Sequence, residues 1–283
     1  MNTTDLECVG TLEELFEPLG LIAETSSGFV SYAKMKPVEG QTRVPLVGIK
    51  TFRSSCALEL DIELEFLEML LREPKDHLVR ILGLYRDEKL NLHCVMEYAD
   101  CDLWAFLNQN GAMDEGRAKR MLFQVATGLK QLYDMGFWHL DVSLENILVF
   151  QNGDHLKLSD FGSVWPITTE VDAIDACHGK TLYYPPELAY SDSVLVSKVG
   201  SFSFGVIMFA LLFGKLPFDQ ASSENEYFLA LSYGDVEDVL EMIKEETQVS
   251  VSNDACNLLR KLFCLERERC EVSDIFKDVW FNS

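Results

Sequence analysis

The residues best suited to chemistry form one ordered set: His139, Asp141 and Asn146, then Asp160-Phe161-Gly162. A carboxylate, an amide five residues later and a second carboxylate beyond that make a toolkit for metal and phosphate. Asp141 could orient or deprotonate a hydroxyl nucleophile. Asn146 and Asp160 supply the hard oxygen ligands that magnesium prefers. A lone aspartate in a loop is often a capping residue, so the meaning of Asp141 depends on what surrounds it.

Residues 20 to 52 alternate β-like runs with turn signals. Leu21-Ile22-Ala23, Phe29 to Ala33 and Pro45 to Lys50 read as strands, the last two joined by a turn at Pro37-Val38-Glu39-Gly40. Residues 57 to 71 carry Leu60, Leu64, Leu67 and Leu71 at helical spacing, with acids on the other face. Leu78 to Tyr85 and Leu90 to Tyr98 are strand-like. After residue 100 the pattern turns helical. Asp114 to Met135 sets Met121, Val125, Leu129 and Leu132 on one stripe, and Gly136 stops it. A strand-rich first third and a helix-rich remainder predict two lobes with a ligand cleft between them. The sequence has no internal repeat and no low-complexity segment.

The 283 residues allow one large domain or two lobes, and 48% hydrophobic content is ordinary for a chain with a sizeable core. A net charge of −22 argues against nucleic acid and anionic membrane as partners. It permits attraction to basic substrates, although solubility alone accounts for it. The eight cysteines include no C-x-x-C pair and do not cluster with the five histidines, which argues against zinc and against a disulfide framework. Reduced thiols fit a cytoplasmic or nuclear setting. The amino terminus lacks a basic segment followed by an apolar one, so no signal peptide is expected. The longest apolar run, Phe204 to Phe213, is short for a membrane span and reads as a buried helix.

The spacing of His139, Asp141, Asn146 and Asp160-Phe161-Gly162 resembles the catalytic and metal loops of eukaryotic protein kinases, whose patterns are H-R-D-L-x-x-x-N and D-F-G. The resemblance implies an α+β, bilobal protein kinase-like fold over residues 12 to 283. Its N-lobe, about 12 to 98, is a small antiparallel sheet, and its C-lobe, about 99 to 283, is mainly helical. That span leaves little room for a separate regulatory domain. The implied activity is ATP- and magnesium-dependent transfer of the γ-phosphate to a protein hydroxyl, by a monomer.

Residue roles follow from the same likeness. Lys50 ends Val47-Gly48-Ile49, where a lysine is ordinarily a snorkelling surface residue. Here it matches V-A-I-K, with Gly48 in place of alanine, and would hold the α- and β-phosphates. Glu63 would be its ion-pair partner. The rival, Glu65, lies about 200° around the helix, so only one of the two can face the cleft. Asp141 would direct the substrate hydroxyl's proton, while Asn146 and Asp160 hold magnesium. Met96-Glu97-Tyr98-Ala99 matches a hinge whose backbone binds adenine, with Val30, Gly48 and Leu148 sandwiching the ring. Ala23, Thr25 and Gly28 fall in the phosphate loop. Leu67, Ile81, His139 and Phe161 would form a stack aligning the lobes. Asp160 to Glu187 resembles an activation segment closing at Pro185-Pro186-Glu187, with Arg269 expected to pair with Glu187. Phe202 to Ile207, then Gly214 to Phe218, resembles the central C-lobe helix and its exit. All of this requires Lys50, Asp141 and Asp160 to converge on one triphosphate.

Five departures stand out. The phosphate loop keeps only Gly28 and Val30 of its pattern, which weakens backbone approach to phosphate. Leu140 replaces the arginine that reads a phosphate on the activation segment. Phosphorylation at Thr168, Thr169 or Thr181 is therefore not expected to switch activity. Ser143 stands where serine/threonine-specific members commonly have lysine, and a hydroxyl stabilises transition-state charge less than an ammonium. Gly179-Lys180-Thr181 interrupts the usual Gly-Thr pair and leaves the substrate-facing threonine undecided. Gly200 replaces an aspartate that caps the catalytic-loop backbone, so those amides need another partner. Serine/threonine specificity is favoured over tyrosine through Leu144-Glu145-Asn146. The alternative is a pseudokinase that scaffolds or regulates a partner. Phosphorylation of a small molecule is a third reading, disfavoured by the activation segment.

Overall fold

Apolar runs from Phe16 onward give three strands, β1 (Phe16–Thr25), β2 (Gly28–Met35) and β3 (Leu46–Phe52), after a single helical turn, α1 (Leu12–Leu15). The structure is a computed structural model that describes residues 12–25, 28–37, 44–52, 57–87, 91–167, 179–189, 194–219, 224–233 and 235–282. The chain divides into two compact units, Met1–Ala99 and Asp100–Ser283.

In the first unit, α2 (Ala57–Arg72), β4 (Ile81–Arg86) and β5 (Leu92–Glu97) follow β3. The five strands form one sheet in the order β1-β2-β3-β5-β4, antiparallel at every step. Phe16, Ala33, Val47, Ile49 and Val95 form a core cluster on this sheet. Gly28 is required by close packing: a side-chain carbon there would lie 1.9 Å from the Thr51 carbonyl oxygen. The expected turn at 37 to 40 falls largely on residues 38–40, outside the described residues.

Two expectations need correction. The buried face of α2 runs through Glu63, Phe66, Leu67 and Leu70, whereas Leu71 is 38% exposed. The helix is rotated from its leucine stripe because a charged residue, Glu63, takes an inward position. Strand β4 begins at Ile81 rather than Leu78, since Leu78 and Val79 are buried in the connection from α2.

The second unit opens with β6 (Cys101–Asp102), α3 (Leu103–Asn110) and α4 (Glu115–Asp134). Aspartates cap both helices: Asp102 accepts from the Ala105 amide at 2.7 Å, and Asp114 from the Arg117 amide at 2.9 Å. Met121, Val125, Leu129 and Leu132 are all buried, and Gly136 turns the chain at φ +90°. Four short strands follow: β7 (Phe137–His139), β8 (Ile147–Phe150), β9 (His155–Leu158) and β10 (Val164–Pro166). β10 pairs with β7, and β8 lies between β6 and β9. Among the described residues six α-helices complete the unit: α5 (Val196–Phe213), α6 (Glu226–Tyr233), α7 (Val236–Thr247), α8 (Asn253–Leu262), α9 (Val272–Ile275) and α10 (Val279–Asn282).

The apolar run from Phe204 is only the second half of α5, an 18-residue helix of mean hydropathy 1.8. By length and composition alone it could cross a membrane. Being 78% buried inside the protein, it reads as a core helix. Among the described residues, Cys94, Cys101, Cys256, Cys264 and Cys270 carry free thiols.

Candidate functional site

In the first unit, β3 carries Lys50 and α2 carries Glu63. Their side chains meet with Nζ 2.6 Å from Oε1, and the residues are only 4% and 3% exposed. Glu65 is exposed on the other side of the helix, so the choice between the two acids is settled by rotation. Lys50 sits opposite Cys94 in the sheet register. Burial pushes the Cys94 thiol up to about 12, with the nearby Glu63 carboxylate acting in the same direction. The Lys50 ammonium also lies 5.1 Å from the centre of the Phe52 ring.

The remaining first-unit candidates are backbone-positioned on the same sheet. Ala23 is exposed and pairs with Val30, and Thr25 pairs with Gly28 at the end of the β1–β2 ladder. Gly48 lies opposite Met96, and a side-chain carbon at Gly48 would stand 3.2 Å from Met96 Cγ. The Glu97 amide donates to Arg80 O at 3.1 Å, and its carboxylate accepts from the Arg80 amide at 2.7 Å. Ala99 closes the unit. Leu67 and Ile81 are both buried.

In the second unit, residues 140 to 146 form the loop from β7 to β8. His139 is buried and donates from Nε2 to Ser159 O at 3.0 Å, while Nδ1 accepts from the Asp141 amide at 3.2 Å. That pattern belongs to the neutral imidazole. Burial holds its pKa below the ordinary value, against the opposing pull of Asp141 and Asp160. The His139 and Phe161 rings lie 6.2 Å apart. Asn146 Nδ2 donates to the Asp141 carbonyl at 2.8 Å and to Asp141 Oδ2 at 2.7 Å. That leaves the side-chain oxygen of Asn146 as an acceptor. The Asn146 carbonyl accepts from the amide and hydroxyl of Ser159, which brings Asp160 beside it across the β8–β9 hairpin. Asp160 itself is left-handed, with φ 57° and ψ 72°. For a residue other than glycine this conformation is uncommon, although aspartate adopts it more readily than most. Leu148 is half-buried in β8, opposite Lys157.

A residue missed as a candidate joins this cluster. Lys180 Nζ lies 3.1 Å from Asp141 Oδ2, 2.9 Å from Ser143 Oγ and 3.4 Å from Asn146 Oδ1. Its amide donates to Asp141 Oδ1 at 3.1 Å. The approach depends on Gly179, where a side-chain carbon would stand 2.7 Å from Asp141 Oδ1 and 2.9 Å from Leu140 O. Thr181 is exposed, so the residue facing Asp141 is the lysine. The available signal was the coincidence of a missing lysine at Ser143 with an unexpected one after Gly179.

Leu140 is 4% exposed and packs with Val194, Val199, Trp138, Trp165, Leu188 and Val196. Where the resemblance calls for a phosphate-reading arginine, this chain has an apolar anchor for its activation segment. Thr168 and Thr169 lie outside the described residues. Gly200 sits in α5 beside a cavity lined in part by Trp138, His139 and Val272. The loop's amides find other partners. Leu140 N donates to Ser163 O at 2.9 Å, and Leu144 N to the Tyr183 hydroxyl at 3.3 Å. That hydroxyl in turn donates to Glu145 at 3.1 Å. Burial, with Glu145 adding to it, pushes the Tyr183 pKa up. Glu187 and Arg269 form a two-pronged ion pair in which Arg269 is 1% exposed.

A family model for the protein kinase domain matches residues 32–281. The probable serine/threonine-protein kinase KCC4 of Saccharomyces cerevisiae is 28% identical over 269 residues, covering 88% of this chain and 24% of that protein. The sucrose non-fermenting protein kinase 1 of Fusarium virguliforme is 26% identical over 270 residues, 95% of this chain and 36% of the relative. The serine/threonine-protein kinase GIN4 of Saccharomyces cerevisiae is 30% identical over 228 residues, 78% and 19% respectively. The chain thus spans between 19% and 36% of the length of these relatives.

Proposed function

The chain belongs to the protein kinase domain family, and we propose that it transfers the γ-phosphate of magnesium-bound ATP to a protein serine or threonine hydroxyl. The observation that carries the proposal is the buried Lys50–Glu63 pair, 2.6 Å apart. Desolvating an ammonium and a carboxylate is costly, and a buried ion pair is weak stability evidence. A task that needs a fixed ammonium accounts for it better, and holding the α- and β-phosphates is such a task.

Asp141 directs the hydroxyl. As the substrate oxygen bonds to the γ-phosphorus, the bond from that phosphorus to the β–γ bridging oxygen breaks. ADP departs, and the hydroxyl proton passes to the Asp141 carboxylate. Asn146 Oδ1 and the Asp160 carboxylate would hold magnesium, which neutralises charge on the phosphate oxygens. Among the described residues no group of three or more His, Cys, Asp or Glu side chains is placed to hold a metal. Magnesium is usually bound through one or two carboxylates together with substrate phosphates. Backbone groups of Met96, Glu97 and Ala99 would bind adenine, beside Val30 and Gly48. Ala23, Thr25 and Gly28 would border the phosphates. Serine/threonine specificity is supported by Leu144-Glu145-Asn146 and by the names of the relatives. A scaffold role is the second reading, favoured by the glycine-poor stretch from Ala23 to Gly28.

The test is ADP formation from magnesium-ATP with a basic protein as acceptor. Asp141→Asn should lower turnover by about 10²–10⁴-fold. Equal turnover in both proteins would overturn the assignment. Thermal stabilisation by ATP without turnover would establish the scaffold reading instead.

A further inference from the structure

We infer that Lys180 supplies the ammonium that acts on the transferring phosphoryl group, in place of the lysine absent from position 143. The inference rests on the phosphoryl transfer proposed above and adds a catalytic residue to it. Three oxygen atoms converge on Lys180 Nζ: Asp141 Oδ2 at 3.1 Å, Ser143 Oγ at 2.9 Å and Asn146 Oδ1 at 3.4 Å. These belong to the residue assigned to the hydroxyl, the residue standing in the vacated lysine position, and a proposed metal ligand. The side chain is 38% exposed, so the ammonium can reach a bound phosphate while it touches Asp141, which is 12% exposed.

The placement follows from local chemistry. Gly179 lets the backbone press against Asp141, and the Lys180 amide is tied to Asp141 Oδ1 at 3.1 Å. The Tyr184 hydroxyl donates to the Gly179 carbonyl, and the Tyr183 amide to the Lys180 carbonyl at 2.9 Å. The lysine is thus held from both sides by its own backbone. Ser143 brings a hydroxyl where an ammonium was expected, and Lys180 brings an ammonium directly after Gly179, where a threonine hydroxyl was expected. Across a 37-residue separation the two groups meet, so the cluster keeps one hydroxyl and one ammonium with their positions exchanged. A fixed cation at a developing negative charge is worth far more in a water-poor site than in solution.

Activity and labelling test this separately. Lys180→Ala should lower kcat by about 10²-fold, with the KM for ATP little changed, because the contact is made in the transition state. The exchange variant Ser143→Lys with Lys180→Thr should recover most of that loss, which a merely structural lysine would not allow. For a readout independent of turnover, the protein is treated with ATP acylated on its γ-phosphate and the modified lysines are mapped. Both Lys50 and Lys180 should be acylated, and excess ATP should protect both. Labelling of Lys50 alone would overturn the role of Lys180 and leave nucleotide binding intact. Labelling of neither would overturn both proposals. A Lys180→Ala protein that is faster than wild type would also overturn the inference, by showing that the ammonium blocks Asn146. If Lys180→Ala melts early, Lys180→Thr and the labelling of wild type decide the question.

Discussion

The β3–α2 pair and the loop around Asp141 solve one problem, holding a cation beside a carboxylate, in different ways. In the first, Lys50 and Glu63 come from adjacent elements and are almost fully buried, 2.6 Å apart. In the second, Lys180 reaches Asp141 from 39 residues away and remains partly exposed. A buried pair depends on both partners, because removing either leaves an uncompensated charge in low dielectric. In the second cluster the ammonium is 38% exposed and its charge is shared among oxygens of three residues, Asp141, Ser143 and Asn146. The departures are not confined to the surface: Leu140 is 4% exposed and Ser143 is fully buried.

Breaking the buried pair should have the largest effect. Glu63→Ala removes the carboxylate 2.6 Å from the buried Lys50 ammonium and should cost about 3–5 kcal/mol in urea denaturation. The double variant Lys50→Met with Glu63→Leu should recover most of that loss. A single-variant loss below about 1 kcal/mol would make the pair resemble a surface salt bridge and erase the contrast. Leu140→Ala should cost about 2–4 kcal/mol by opening a void among Val194, Val199 and Trp165. The same anchor predicts that phosphatase treatment leaves activity unchanged, and a large loss on treatment would restore a phosphate-dependent switch.

Gly179→Ala tests the Asp141 cluster by overpacking it against Asp141 Oδ1 and Leu140 O. It should cost about 1–3 kcal/mol and should lower kcat by displacing Lys180, while the Lys50–Glu63 pair stays intact. The smallest effect is on pH. Burial holds His139 below its ordinary value of 6.5, and His93 is lowered for the same reason. Below that value the unfolded chain binds protons that the folded chain refuses. Stability should be complete above pH 6.5 and fall as pH drops toward the lowered native values. Denaturation curves between about pH 8 and pH 5 should show the decline, and His139→Gln should reduce its slope.

Much of the architecture is legible from periodicity. The stripe Met121, Val125, Leu129 and Leu132 is buried as its spacing requires, and Gly136 ends its helix. The strands around Val30, Gly48 and Met96 are legible as apolar runs, but the pairing of Gly48 with Met96 joins β3 to β5 across α2 and β4 and is set by tertiary structure. The rotation of α2 is less legible. Leucines at 60, 64, 67 and 71 mark an apolar stripe, yet the inward face is set by Glu63, because hydrophobic counting gives no weight to a buried charge. The extent of α5 is understated for a similar reason: Ser197, Lys198 and Ser201 interrupt the apolar run, but the backbone ladder continues through them.

The chain's own letters determined the order of the chemical groups, from Lys50 and Glu63 through Asp141 and Asn146 to Asp160, since motif spacing is a property of the covalent backbone. They also determined which segments become strands and helices, because period and capping are local. Only the tertiary structure decided that Lys180 faces Asp141 and that Leu140 becomes an apolar anchor. Those outcomes depend on contacts between segments tens of residues apart, where the steric room left by Gly179 and the electrostatic demand of a shared carboxylate are felt only after the chain has closed on itself.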